Sequence, residues 1–162
     1  MEIFSGSTYS YIKEGLVSNV FVVDSQDRLL CGPTSVDEAE AICLSGSMAR
    51  IVRSAARCLN IPTEEESLIP VPWEGTKWKA AFVCNAARGL TPISHLIYPD
   101  RRIKIVQLLD STNNEVVKAL RELIGKFLYS ENREDELLTK RFKQDYGYHP
   151  WTKFSQLEFD NN

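Results

Sequence analysis

The chain has 162 residues, 43% of them hydrophobic and 25% charged, which allows one globular domain with a substantial core and excludes two of ordinary size. A formal net charge of −3 without clustered Lys and Arg gives no footprint for nucleic acid or an anionic membrane, so neither is an expected partner. No stretch reaches the roughly 18 apolar residues needed to span a bilayer, and Met1 to Ser7 carry no basic region before an apolar run, so the expected location is cytoplasmic.

In chain order, Val20 to Val23 and Leu29-Leu30-Cys31 flank the polar run Asp24 to Arg28, which predicts two antiparallel strands joined by a hairpin turn. Gly32-Pro33 ends the second strand. Residues 34–44 read as a loop. From Ser47 the apolar positions Met48, Ile51, Val52, Ala55, Ala56 and Leu59 recur at three- and four-residue spacing. This predicts an amphipathic helix ending near Asn60, with Arg50, Arg53 and Arg57 on its outer face. Prolines and Gly75 make residues 61–79 mostly connecting. Ala80 to Cys84 reads as a buried strand entering a tight turn, and Ile93 to Ile97 and Ile103 to Ile105 continue the β character. A second helix carries Val116, Val117, Leu120, Leu123, Ile124 and Phe127 on one face, with Thr112 and Glu115 in capping-box spacing. From Glu131 to Lys143 a polar helix is expected, followed by an aromatic tail of Tyr146, Tyr148, Trp151 and Phe154 that packs over the domain.

Several isolated groups read as structural. Cys31, Cys43, Cys58 and Cys84 sit singly with no Cys/His spacing, so buried reduced thiols are expected and neither zinc nor a disulfide is. His95 and His149 have no carboxylate or thiol partner in the pattern, so no triad or metal site is expected.

Three short segments stand out. Glu14-Gly15-Leu16-Val17-Ser18-Asn19-Val20-Phe21 opens the first strand. Leu44-Ser45-Gly46-Ser47-Met48-Ala49-Arg50 opens the amphipathic helix, where unpaired backbone amides and the helix dipole suit a phosphate; the plain alternative is an ordinary helix start capped by Ser45 or Ser47. Cys84-Asn85-Ala86-Ala87-Arg88-Gly89-Leu90-Thr91-Pro92-Ile93 is a strand, a turn and another strand. In this order they resemble the C-terminal half of the class IV aminotransferases, the fold-type IV pyridoxal-phosphate (PLP) enzymes that include the aminodeoxychorismate lyases. The resemblance covers Tyr11 to Ile124.

The resemblance implies an α+β fold, with a mixed, largely antiparallel sheet and packed helices, similar to the large C-terminal domain of that family. It divides the chain into a class IV-like domain at residues 1–130 and a charged, aromatic extension at 131–162. It implies PLP as cofactor, with Glu14 facing the pyridine nitrogen, Gly46, Ser47 and Met48 holding the phosphate, and Asn85 and Ala86 beside it. Ala87 and Arg88 fall on the substrate side, and Asn19 has a structural role. Ala49 stands where the family usually has arginine, and only a one-residue shift brings Arg50 there. The Asn85 and Arg88-Gly89 pattern is closer to the lyase branch, which releases pyruvate and 4-aminobenzoate for folate synthesis, than to the transferases, which favour threonine at Ala86.

No residue receives a catalytic assignment. The family's lysine belongs to a strand well upstream of the glutamate, farther than the residues before Glu14 reach. Lys13 is adjacent to Glu14 and points the other way in extended chain. The resemblance thus implies that the lysine and the N-terminal small domain lie outside these residues. The expected partners are a small amino substrate and either a second copy in a homodimer or a complementing N-terminal half. The alternative is a non-catalytic ligand-binding or protein-interaction domain derived from the same fold.

Overall fold

The run Val20-Phe21-Val22-Val23 is apolar at every position, as a strand covered on both faces must be, and the architecture is built around it. The computed structural model describes residues 3–5, 10–12, 14–15, 18–32, 46–65, 69–70, 77–99, 104–129 and 137–147. Within them the elements run β1 (Ile3–Ser5), β2 (Ser10–Ile12), β3 (Glu14–Gly15), β4 (Ser18–Asp24), β5 (Leu29–Cys31), helix α1 (Ser47–Cys58), β6 (Thr63–Glu65) and β7 (Ile69–Pro70). They continue with β8 (Trp78–Asn85), β9 (Gly89–Pro92), β10 (His95–Pro99), β11 (Lys104–Leu108), α2 (Glu115–Tyr129) and α3 (Leu137–Tyr146).

The main sheet has the order β6-β5-β4-β8-β9, with β3 also paired to β4. Its pairings are antiparallel except β5 with β6, so the sheet is mixed and largely antiparallel and the class is α+β. Two smaller sheets join β1, β2 and β7, and β10 with β11. The stretch at 61–79, expected to be mostly connecting, carries two short strands, β6 and β7. Leu29 to Cys31 recruit Thr63 to Glu65 as a parallel neighbour, an edge that no local periodicity announces.

Side chains alternate along β4 and β8, and both sets are buried. Phe21, Val23, Ala80, Phe82 and Cys84 face α1, α2 and α3, with the Phe21 and Phe82 rings stacked at 5.2 Å. Val20, Val22, Trp78 and Ala81 face the opposite way, against Leu96 and Leu109. There Ser111, itself buried, accepts the Ala81 N–H at 2.9 Å.

The predicted hairpin between β4 and β5 is present. Asp24 closes it, its Oδ1 accepting the Gln26 and Arg28 N–H groups and its Oδ2 accepting Arg28 Nε at 2.7 Å. Asp27 takes the left-handed conformation that such turns admit for Asp. Helix α1 ends as expected: Asn60 is left-handed, and the Ile61 N–H donates to the Ala56 carbonyl at 2.9 Å.

Two local expectations give way. The cap of α2 is Asn114, whose Oδ1 accepts the N–H groups of Val116 and Val117, because a turn on the Asp110 carbonyl moves the helix start two residues past Thr112. Nor is the arginine face of α1 solvated throughout, although Arg57 is exposed. Arg53 is only 5% exposed, because Ala49, Arg53 and Ala56 form one i, i+4, i+7 stripe lying on the sheet. Helix α3 covers the neighbouring stripe. Leu138 and Phe142 enter the main core, and Tyr146 packs on Phe142 at 4.8 Å. Tyr148, His149, Trp151 and Phe154 lie outside the described residues, as does Cys43.

Candidate functional site

The residues singled out in sequence meet at one end of the main sheet. Asn19 is the junction: in the ladder it stands between Glu14 of β3 and Cys84 of β8. Asn85 follows Cys84, and its turn closes with Asn85 opposite Gly89. Helix α1 starts against the same end, where a Cβ built on Gly46 would lie 2.7 Å from Asn19 Oδ1. No larger residue fits there without displacing that amide. Glu14 is placed by its backbone register alone, opposite Asn19.

The start of α1 is open. Gly46 is its N-cap, with extended backbone and no side-chain cap, and Arg50 N–H is the first to close on the Gly46 carbonyl, at 3.1 Å. The expectation of a Ser47 cap therefore fails, and Ser45 lies outside the described residues. Ser47 is exposed and Met48 is 5% exposed, so Met48 anchors the first turn in the core while the end of the helix faces outward. The first-turn N–H groups and the helix dipole there favour an anion. Arg50 contributes elsewhere, its guanidinium lying over the Tyr146 ring at 5.5 Å.

The turn after β8 is self-contained. Asn85 Oδ1 accepts the Arg88 N–H at 2.8 Å, which occupies the amide oxygen in holding the turn. Ala86, Ala87 and Arg88 are exposed, and Gly89 adopts φ +66°, which closes the tight turn at little steric cost. The turn therefore offers backbone groups and the Arg88 guanidinium.

Between α1 and the sheet lies a charge that the apolar periodicity alone puts on the other face. Arg53 Nη2 donates to the Gly32 carbonyl at 3.0 Å, and its guanidinium sits over the Phe21 ring at 5.8 Å. Glu65 approaches Nε at 3.5 Å without forming a hydrogen bond, and Nη1 has no partner. The signal was its spacing from Ala49 and Ala56. Burial pushes the Cys84 thiol up to about 12, against the lowering influence of Arg53 and the Asn19 backbone, and it likewise raises Cys31. Both stay protonated at neutral pH and are unsuited to nucleophilic work. Cys58 is half-buried, and its thiol is also raised by burial.

Lys79 pairs with Asp27, Lys118 with Glu115 and Lys126 with Glu122, while Lys77, Lys140 and Lys143 are exposed. His95 is exposed and bonds Ser94 at 2.8 Å. No described helix is long and apolar enough to cross a membrane.

No protein-family model matches the sequence, and no curated protein matches it significantly. Solved structures do. The branched-chain amino acid aminotransferase from Escherichia coli superposes with a TM-score of 0.57 at 20% identity, over 78% of this chain and 38% of that one. The chain has the class IV aminotransferase fold. A Thermotoga maritima protein assigned as a branched-chain amino acid aminotransferase gives 0.55 at 25% identity, over 79% and 41%. A Legionella pneumophila protein assigned as a 4-amino-4-deoxychorismate lyase gives 0.53 at 16% identity, over 76% and 40%. The chain thus spans about two fifths of the length of the structures it matches.

Proposed function

We propose that the chain carries the phosphate-holding cradle of a PLP-dependent class IV protein acting on amino acids or on aminodeoxychorismate. The observation that carries this reading is the uncapped start of α1 locked against the sheet, with Gly46 on Asn19 Oδ1. In this reading the amides of Ser47 and Met48 hold the phosphate, and Glu14, in register beside Asn19, faces the ring nitrogen. Asn85 and Ala86 lie beside the cofactor, and Ala87 and Arg88 meet the substrate. When bound, PLP supplies the electron-withdrawing ring that activates an amino substrate. The residues named here bind and orient it. Gly46 lets Asn19 Oδ1 seat against the helix start, and the Asn85 to Arg88 hydrogen bond keeps the turn rigid. Ala86 in place of threonine and the Arg88-Gly89 pair favour the lyase branch.

A second reading is a ligand-binding or protein-interaction domain without catalysis. It is favoured by the described lysines, which are paired with carboxylates or exposed. Under the first reading the lysine is supplied from outside the described residues.

The test is a thermal-shift titration with PLP and, in parallel, with pyridoxal, which lacks the phosphate. Saturable stabilisation is expected with PLP alone, about 2.7 kcal/mol at a hundredfold excess over Kd, and it is reduced in Glu14→Ala and Gly46→Val. Equal responses to both compounds would refute a phosphate cradle.

A further inference from the structure

Helix α2 carries one cation that its own sequence leaves alone. Lys118 and Lys126 reach Glu115 and Glu122 at 3.1 and 2.7 Å. Arg121 has Val117, Lys118, Ile124 and Gly125 one turn away, so helical spacing provides it no carboxylate. Arg88, held at its backbone by Asn85 Oδ1, is in the same position. Arg28, Arg53, Arg57 and Arg141 each lie within 4.0 Å of a described carboxylate; Arg88 and Arg121 lie that close to none of the described carboxylates.

These two arginines line one cleft of about 160 Å3 between the β8–β9 turn and α2, whose apolar lining is Leu90, Ile124 and Leu128. Gly125 opens it. A glycine inside a helix costs about 1 kcal/mol against alanine, yet a Cβ built there would meet nothing within 4 Å. The space beside the helix is open at this residue. Tyr129, 85% exposed, stands at the far end.

We propose that this cleft binds a small carboxylate with an apolar body the size of a single ring. A guanidinium fork matches a planar carboxylate. A space of about 150 Å3 admits a benzene ring, here one resting on Leu90, Ile124 and Leu128, whereas inorganic phosphate would leave those three side chains unused. The bound carboxylate relieves two like charges that otherwise share one cleft without a counterion. The cleft has Arg88 in common with the substrate side proposed above, and contains none of Glu14, Gly46, Ser47 or Met48.

The test is a two-dimensional amide NMR titration of the full chain, run without PLP so that its outcome is independent of the cofactor reading. Benzoate is the probe, with benzamide as the neutral isostere and inorganic phosphate as the plain anion. Saturable shifts confined to residues 88–90 and 121–129 are expected with benzoate, at least tenfold weaker with either control. Arg121→Gln, an exposed change that leaves the fold intact, should weaken benzoate at least tenfold. Gly125→Leu should abolish binding while melting no lower than the parent, since leucine favours helix and its Cβ meets no atom within 4 Å. Equal binding of benzamide, preferential binding of phosphate, no response to benzoate, or unchanged binding in both variants would overturn the proposal.

Discussion

Gly46 is where a single hydrogen atom decides a contact. Adding one methyl group at this position would press a carbon to 2.7 Å from Asn19 Oδ1, inside any relaxed van der Waals separation. Gly46→Ala should therefore lose about 1–3 kcal/mol, the usual cost of overpacking, and urea denaturation measures it. In an Asn19→Ala background the same change should cost less than half as much, and an unchanged cost would mean the strain arises elsewhere. Arg53 gives the opposite expectation. With Nε and Nη1 lacking hydrogen-bond partners, its charge is an expensive occupant of the core, and replacing a buried charge with a well-packed apolar group is often neutral or better. Arg53→Met should melt at or above the parent, while Arg53→Ala, which leaves a cavity, should lose about 2–4 kcal/mol. A large loss in both would show that the bond to the Gly32 carbonyl dominates.

Between elements, the contact most exposed to test is the seating of α3 on α1. Asp145 accepts the Ser54 hydroxyl at 2.6 Å and pairs with Arg57 at 2.9 Å and Arg141 at 3.1 Å, with its side chain only 7% exposed. Asp145→Ala leaves those donors unanswered and should cost about 3 kcal/mol. Hydrogen exchange should accelerate along 137–147 before it does in α1, and uniform acceleration would mean the two helices open as one unit. None of this seating is visible in local sequence, because Ser54 and Asp145 are brought together only by the tertiary fold. The periodic elements were legible: α1, α2 and the β4–β5 hairpin announce themselves through apolar spacing and turn residues. The three segments singled out in sequence lie together because the ladder joins Glu14, Asn19 and Cys84 and Gly46 seats on Asn19. What spacing could not give was the burial of Arg53, the pairing of β5 with β6, or the use of Asn85 in its own turn. Each depends on what a distant segment places opposite.

At the scale of the whole molecule, acid stability should carry the signature of the β4–β5 turn. Burial would raise the Asp24 carboxyl, but the Arg28 backbone N–H, the Arg28 guanidinium and the Gln26 N–H outweigh it and hold it below its ordinary value. A carboxyl lowered on folding contributes in full above its unfolded pKa, roughly 3.9, and loses that contribution as pH falls through the lower folded value. Melting temperature should thus drop below about pH 4. Asp24→Asn should cost about 2 kcal/mol at pH 7 and show a shallower acid drop, and an identical drop would place the sensitivity in another group. The pairing of β4 with β8 has a kinetic consequence. Val23 meets Ala80 and Asn19 meets Cys84, so the central ladder closes only after the chain has looped through α1 and back. Closing so long a loop delays the reward of contact and slows the search. Refolding should be governed by that closure, in roughly the millisecond-to-second range, with α1 able to form transiently while the sheet that gives it a place is still unmade.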